Sequence, residues 1–437
     1  MSVAKDGGGA QPALTPWRRI KAIIGGSAGN LVEYYDWFSY ASFALYFAPH
    51  FFPKGDPTAQ LMQSAAIFAV GFLMRPLGAY LMGLFADWRG RRAALAASVG
   101  MMCAGSFAIA LLPDASQIGV LAPIGLLMAR LVQGLSMGGE YGASVTYISE
   151  MAGASRRGFW ASWHYVTLIG GQLLAMALLL ILQGVLPEGD LEEWGWRIPF
   201  AIGGAMAVIV FWIRRGMDES PSFETAKAAG VEKARGMMLF TRHPRETGII
   251  FVLSAAGSLG FYAYTTYMQK FLVNTAGFAK DQSAWVMAIA LLVFMALQPA
   301  VGWLSDRIGR KTCLATSFLL GTILVYPLMS TLAAGPSLGV ALGLVILQLV
   351  VFSGYSAVNG LIKAELYPAH VRALGVALPY ALANAMFGGT AEYVALWFKN
   401  QGMESGFYIY VAAISAVAFV VAARLRNTNK TSLIQDH

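Results

Sequence analysis

Several ionisable side chains stand within the long apolar stretches of this 437-residue sequence. A charged group is costly in an apolar medium, so it is kept where it pairs, moves a proton or binds an ion. A buried carboxyl can take up a proton because burial disfavours its charged form, and a buried cation can bind a carboxylate. Proton transfer and anion binding are therefore the chemistry to expect from Glu33, Asp36, Arg75, Arg130, Glu140, Lys270, Lys363 and Glu392.

Helical spacing gives three of these groups a similar depth. At about 1.5 Å per residue, Glu33 and Asp36 lie roughly 18 and 22 Å beyond Lys21. Arg75 lies about 18 Å from Asp87 by the same count. Glu33 and Asp36 are three residues apart, so they share one helix face. The candidate proton carriers are Glu33, Asp36 and Glu140.

Two landmarks recur at about half the chain length. The string G-L-F-A-D-W-R-G-R-R at 83–92 has the pattern G-x-x-x-D-x-x-G-R-[RK], which returns 219 residues later at 302–311. The stretch from Glu150 to Arg157 returns 215 residues later, from Glu365 to Arg372. Landmarks that recur in the same order at one spacing indicate a duplicated unit.

The composition excludes an ordinary soluble protein. Mean hydropathy is +0.58 and only 12% of the residues are charged, whereas soluble chains carry about a quarter. The net charge of +8 is spread over separate loops, which predicts a lipid bilayer as partner and no nucleic acid. Cys103 and Cys313 lie in or beside apolar segments and are expected to pack rather than to form a disulfide. The scattered histidines give no metal-ligand or nucleophile–base spacing, so we expect no metal and no enzyme.

Twelve apolar segments are long enough to cross a bilayer, which takes about 20 helical residues. The predicted fold is therefore an all-α membrane protein with two pseudo-symmetric six-helix bundles, at 22–216 and 245–425, joined by a linker at 217–244. Residues 1–21 and 426–437 are predicted tails. The segments are 22–48, 61–86, 93–112, 119–147, 159–186, 198–214, 248–273, 283–304, 312–332, 337–366, 372–398 and 406–423.

The basic residues support this topology with both termini in the cytoplasm. On that assumption 24 of the 31 Lys and Arg residues fall on the inner side, as the positive-inside rule requires. The polar, glycine-rich start is expected to be a disordered cytoplasmic tail rather than a secretory signal. The seven other basic residues are Lys54, Arg75, Arg130, Arg197, Lys270, Lys280 and Lys399.

The sequence resembles the major facilitator superfamily in its twelve predicted helices and in the motif after segments 2 and 8. The strings G-N-L-V-E-Y-Y-D-W-F at 29–38, F-L-M-R-P at 72–76 and E-L-Y-P-A-H-V-R at 365–372 resemble its metabolite:proton symporter branch. Y-V-T-L-I-G-G-Q at 165–172 and F-G-G-T-A-E-Y at 387–393 resemble the α-ketoglutarate permeases of that branch. The resemblance covers nearly the whole chain except the tails and the linker.

This resemblance implies a secondary transporter of the bacterial inner membrane that works by alternating access. It implies symport of α-ketoglutarate or a close dicarboxylate, with protons as the coupling ion and no other cofactor. We also expect the protein to be a monomer.

A dicarboxylate needs cations or several hydrogen-bond donors at both ends. Arg75 is the first candidate in the N-terminal half, and Lys270 and Lys363 are those in the other half. Tyr355, Asn359 and Lys363 recur at every fourth residue, which predicts one polar stripe on a helix. The further candidates are Arg130, Tyr165, Gln172, Tyr264 and Tyr267.

Structural roles compete with these assignments. Arg75 could hold helix 2 against helix 11, and Lys363 could extend to the cytoplasmic surface. Lys270 could pair with Glu392. Aromatic side chains in membrane helices commonly pack or lie at the lipid–water interface rather than bind a ligand.

Proton coupling and gating follow from the same resemblance. Asp36 and Arg130 resemble the acid–arginine pair between helices 1 and 4 of proton-coupled sugar transporters, where protonation breaks the pair and permits closure. The repeated motif resembles the cytoplasmic gate of the superfamily, and the alternative is a topology signal with solvated charges. The predicted gate residues are Gly83, Asp87, Arg91, Gly302, Asp306 and Arg310.

Two alternative functions compete with dicarboxylate symport. One is a symporter of citrate, shikimate, proline or betaine, although an osmolyte carrier would need aromatic cages more than opposed cations. The other is a transporter-like receptor. Such receptors usually carry a soluble output domain, for which the two tails are expected to be too short.

Overall fold

A computed structural model describes residues 16–53, 55–89, 91–137, 145–146, 148–149, 156–215, 236–426, 432 and 434. Within these ranges the side chains of 16–30, 83–84, 86–88, 91–96, 188, 210–211, 213–215, 236–238 and 369–370 are outside the description.

The described residues form twelve long helices, labelled α1 to α12 in chain order. Three of them begin at a proline (Pro16, Pro57 and Pro244), which suits the first helical position because no N–H is needed there. The first six are α1 Pro16–Phe51, α2 Pro57–Arg89, α3 Arg91–Leu111, α4 Leu121–Ser136, α5 Arg157–Val185 and α6 Ile198–Arg215. The others are α7 Pro244–Asn274, α8 Lys280–Ile308, α9 Arg310–Ala333, α10 Leu338–Glu365, α11 Ala369–Asn400 and α12 Glu404–Arg424.

Eight of these helices are long and apolar enough to cross a membrane, with mean hydropathy between 1.2 and 2.2 over 18 residues. Shorter apolar stretches lie in α3, α4 and α6. The predicted all-α membrane fold is confirmed, and each predicted segment overlaps one helix. The fourth segment was predicted to run to residue 147, whereas the described part of α4 ends at Ser136.

The two halves of the chain repeat one packing pattern. In the first half α1 packs on α5, α2 on α4, and α3 on both α4 and α6. Six helices later α7 packs on α11, α8 on α10, and α9 on both α10 and α12. The halves meet where α5 packs on α8 and α2 packs on α11, so the seam between them is itself two-fold symmetric.

Two helices are interrupted by a π-helical turn, at Tyr262–Tyr267 in α7 and at Asn384–Gly388 in α11. Such turns widen a helix locally and are common at functional sites. The two turns face each other: a Cβ built on Gly388 would lie 3.0 Å from the Tyr262 ring. Both turns border the site described next.

Candidate functional site

Two buried guanidinium groups lie over one indole ring. The Cζ atom of Arg75 on α2 is 4.0 Å from the ring centre of Trp37 on α1, and that of Arg130 on α4 is 3.9 Å from it. Arg130 is fully buried and Arg75 is 9% exposed. An aromatic face attracts a cation, so Trp37 holds two like charges near each other. We call Arg75, Arg130 and Trp37 the guanidinium site.

The donors of this site are only partly used. Arg130 donates from Nη1 to Gln133 Oε1 at 2.9 Å, and Arg75 donates from Nη2 to the Met137 sulfur at 3.5 Å. Within the described part of the chain, both Nε atoms and Arg130 Nη2 have no hydrogen-bond acceptor. A buried cation with unfilled donors is costly unless an anion binds it. The site is therefore suited to a carboxylate.

A buried carboxylate lies one amide group away. Ser106 of α3 donates to Asp36 Oδ1 at 2.5 Å, and Gln133 Nε2 donates to Asp36 Oδ2 at 2.7 Å. Gly203 of α6 leaves room for this carboxylate, because a Cβ built there would lie 2.5 Å from Oδ1. Asp36 is 1% exposed. Four helices thus enclose one acidic group.

The expected direct pair of Asp36 and Arg130 is corrected by this arrangement. Gln133 accepts from Arg130 and donates to Asp36, so among the described residues the acid and the arginine meet through a bridging amide. Arg130 and Gln133 are three residues apart, which puts both on one face of α4. Glu33 on α1 is buried as well, and Glu140 lies outside the described residues.

Helix α10 carries the predicted polar stripe along the seam between the halves. Tyr355 donates to Asn359 Oδ1 at 3.2 Å, and Tyr165 of α5 interacts with Asn359 from the other half. The Lys363 ammonium lies 4.3 Å from the ring centre of Tyr380 on α11. Lys363 is 1% exposed, so the alternative that it extends to the surface is wrong.

Lys270 and Glu392 form an ion pair between α7 and α11. The ammonium is 2.7 Å from Glu392 Oε2 and both side chains are buried. The pairing that the sequence left open is confirmed. The charge of Lys270 is thereby neutralised within the C-terminal half.

Three further candidates are buried at different places. Gln172 lies buried on α5. Tyr264 packs against Phe352, and Tyr267 packs against Phe407 inside the C-terminal half. Residues two apart on a helix point in nearly opposite directions. The tyrosine of α7 that interacts electrostatically with Arg75 is accordingly Tyr262.

Arg75 was also considered as a link between helices 2 and 11. Its described partners are Trp37 on α1, Phe72 on α2, Tyr262 on α7 and Met137 after α4, and it also acts electrostatically on Tyr380 of α11. The contact of α2 with α11 lies one turn away, where a Cβ built on Gly389 would lie 2.5 Å from the Phe72 Cβ. Arg75 thus faces the site, whereas Phe72, about one turn earlier on α2, forms the contact with α11.

The second copy of the repeated motif joins the halves at one end of the bundle, which we call the motif end. Asp306 accepts from the backbone N–H of Gly158 at 2.7 Å and of Phe159 at 3.0 Å, so it caps the start of α5. Arg310 lies 3.3 Å from Asp306 and 3.4 Å from Glu365. For Gly83, Asp87 and Arg91, the predicted gate residues of the first copy, the side chains lie outside the described residues.

The halves also touch at the opposite end. Lys280 of α8 pairs with Glu192 in the short helix Glu188–Glu193 before α6, and Gln269 of α7 donates to the Ser42 carbonyl of α1 at 3.2 Å. Contacts therefore close the seam on both sides of the site, as expected for an occluded state of a transporter.

A family model described as "Sugar (and other) transporter" matches residues 22–242 and again 228–435. This double match spans both halves of the fold. The chain belongs to this transporter family.

Curated relatives of this transporter cover nearly its whole length. The Alpha-ketoglutarate permease of Escherichia coli (strain K12) is 50% identical over 94% of this chain and 95% of its own. A Citrate-proton symporter of Klebsiella pneumoniae is 32% identical over 91% of this chain and 90% of its own. Family membership makes the chain a transporter and not an enzyme.

Among solved structures, the proton:xylose symporter XylE bound to a bromo-deoxy-glucose matches the transporter fold with a TM-score of 0.75. The match covers 95% of this chain and 98% of that one at 16% sequence identity. Such low identity supports the shared fold alone.

Three residues of the transporter's site were missed from the sequence: Trp37, Ser106 and Gln133. Gln133 follows Arg130 by one helical turn, and Trp37 is adjacent to Asp36. Both could have been found by looking for neutral residues that share a helix face with a buried charge or are adjacent to it in sequence. Ser106 gave no signal, because serine is common in membrane helices.

Proposed function

We propose that this transporter carries α-ketoglutarate or a close dicarboxylate together with protons. The observation that carries this proposal is the guanidinium site, where two buried cations keep unfilled donors one amide group from the buried carboxyl of Asp36. The relative named Alpha-ketoglutarate permease supports the substrate, and the relative named Citrate-proton symporter supports the coupling ion.

One carboxylate of the substrate binds Arg75 and Arg130 in the N-terminal half. The C-terminal half contributes Lys363, Tyr355 and Asn359 from α10. Tyr165 and Gln172 of α5 donate hydrogen bonds to the substrate. Tyr262 of α7 interacts with Arg75. Lys270 serves the ion pair with Glu392, so it stabilises α7 against α11 rather than binding substrate.

Asp36 carries the proton in this proposal. Its carboxylate is buried and is held by two neutral donors, the Ser106 hydroxyl and the Gln133 amide. Uptake of a proton removes a buried negative charge near two cations, which favours binding of an anionic substrate. Glu33 and Glu140 are the rival carriers.

Alternating access follows from rocking of the two halves about the site. Asp306, Gly302 and Arg310 close the motif end, and the first copy with Gly83, Asp87 and Arg91 acts in the same way against α11. The motif end faces the cytoplasm, both termini lie on that side, and the transporter works as a monomer in the bacterial inner membrane.

The test is uptake of radiolabelled α-ketoglutarate into proteoliposomes, with and without an inward proton gradient. We expect accumulation that requires the gradient and that unlabelled dicarboxylates compete away. Uptake that only equilibrates would contradict proton coupling. Absence of uptake by folded protein, together with thermal stabilisation by citrate, shikimate or betaine, would contradict the substrate.

A further inference from the structure

Gln133 occupies a position that requires one hydrogen-bond acceptor and one donor, and a carboxamide supplies both. Arg130 is purely a donor, and ionised Asp36 is purely an acceptor. The amide must therefore turn its oxygen to Arg130 (2.9 Å) and its nitrogen to Asp36 (2.7 Å). The same nitrogen lies 3.0 Å from the Ser106 hydroxyl. Gln133 is 1% exposed, so water does not replace these partners.

We propose that Gln133 is the positioning residue through which the proton on Asp36 controls the affinity of Arg130 for substrate. This inference rests on the proposed symport of a dicarboxylate. Gln133 carries neither the transported proton nor the substrate; it acts by occupying or releasing one donor of the guanidinium site.

The two protonation states of Asp36 place different demands on the amide. When Asp36 is ionised, Gln133 keeps its oxygen on Arg130 Nη1 and that donor is occupied. When a proton from water binds Asp36 Oδ2, the carboxyl O–H becomes a hydrogen-bond donor. The amide oxygen of Gln133 can accept that hydrogen bond. The Gln133 amide then flips, so that its oxygen and nitrogen exchange places, and Arg130 Nη1 loses its acceptor. A carboxylate of the substrate takes that donor, so protonation raises substrate affinity.

In the described part of the chain, few other charged or titratable groups surround the relay, by which we mean Asp36, Gln133 and Arg130. Tyr35 on α1, Cys103 on α3 and Arg130 on α4 act electrostatically on Asp36, and α6 presents Gly203. On its far side Arg130 is influenced by Tyr40, Tyr262 and Arg75. Among the described residues, Asp36 is thus the carboxyl whose hydrogen bonds reach Gln133 directly.

The duplicated fold supplies a matched control. Gln348 lies 215 residues after Gln133, on α10, and is also buried. It lines a cavity together with neutral residues such as Tyr264, Ser317 and Ser415. Its replacement removes the same side chain from the equivalent helix without touching a charge.

The experiment compares wild type, Gln133→Leu and Gln348→Leu in equilibrium exchange of radiolabelled α-ketoglutarate, with equal pH on both sides, at pH 6 and pH 8. Wild type and Gln348→Leu should show a KM that rises about tenfold or more from pH 6 to pH 8. Gln133→Leu should show nearly equal KM values at both pH values, and its KM at pH 8 should fall below that of wild type, because the Arg130 donor is always free.

Two results would overturn the relay. One is a Gln133→Leu protein whose ratio of KM at pH 8 to KM at pH 6 equals that of wild type. The other is a Gln133→Leu protein whose KM is raised by the same factor at both pH values, as a purely structural role requires. If Gln133→Leu does not fold, Gln133→Glu decides: the introduced carboxyl copies the amide only when protonated, so exchange should persist at pH 6 and fail at pH 8. Exchange that varies with pH as in wild type would contradict the proposal. A wild type without proton-dependent uptake would instead refute the proposed function.

Discussion

At the scale of single residues, Arg75 is the residue that we propose binds a substrate carboxylate directly. Its guanidinium is buried beside Trp37 and keeps Nε without an acceptor in the described chain. A charged hydrogen bond contributes about 1.5–3 kcal/mol, so Arg75→Ala should raise KM roughly 10- to 100-fold or abolish uptake. The control is Arg424→Ala at the exposed end of α12, which should leave uptake unchanged.

Folded Arg75→Ala protein with wild-type KM would remove this arginine from the site. Size-exclusion profiles and thermal unfolding in detergent distinguish that outcome from loss of protein.

Lys270 and Glu392 are expected to behave as a structural pair. Loss of one partner leaves an uncompensated buried charge, which costs about 3–5 kcal/mol, whereas an apolar replacement of both is often neutral. Lys270→Met and Glu392→Leu should each lower the thermal unfolding temperature, and the double variant should recover both stability and uptake. A stable double variant that has lost α-ketoglutarate uptake would show that Lys270 binds substrate.

The types of these residues could be predicted from the sequence, but their partners could not. Charges within apolar segments revealed Asp36, Arg75, Arg130, Lys270 and Lys363. Which group each one meets depends on helix rotation and on contacts between distant segments, such as Asp36 with Ser106. The bridging amide of Gln133 was invisible for that reason.

At the scale of helices, the crossing of α5 and α8 governs closure of the motif end. Gly158 and Gly302 meet there, and a Cβ built on Gly302 would lie 2.6 Å from the Gly158 carbonyl oxygen. Overpacking costs about 1–3 kcal/mol, so Gly302→Ala should open the motif end by roughly 5- to 150-fold in population.

This opening can be measured by maleimide labelling of Ala364→Cys in a chain whose Cys103 and Cys313 are replaced by alanine. Ala364 is fully buried in α10, so labelling should be slow in the parent and much faster with Gly302→Ala. The matched control is Gly339→Ala, where a Cβ meets nothing within 4 Å. Equal labelling in all three proteins would refute a role for this crossing in closure.

The helices themselves were predictable from apolar length, because the bilayer fixes how long a spanning helix must be. The π-helical turns at Tyr262–Tyr267 and Asn384–Gly388 were not. A one-residue widening leaves the apolar pattern almost unchanged, yet it decides which side chains of α7 reach the site. That is why the sequence did not show which tyrosine of α7 interacts with Arg75.

At the scale of the whole molecule, duplication left two similar bundles with different chemistry. In the first, Asp36, Ser106 and Gln133 form a polar network next to Arg130. In the second, the region around Gln348 is a small cavity lined by neutral side chains. We therefore propose that proton coupling belongs to the N-terminal half.

The most direct test of this account is the lumenal pH of proteoliposomes containing a trapped pH dye when α-ketoglutarate is added outside at equal starting pH. An inward substrate gradient should draw protons in and acidify the lumen with wild-type protein. Asp36→Asn, which keeps an acceptor for Ser106 but cannot release a proton, should exchange substrate without acidification. Acidification by Asp36→Asn equal to that of wild type would contradict the assignment of the proton to Asp36.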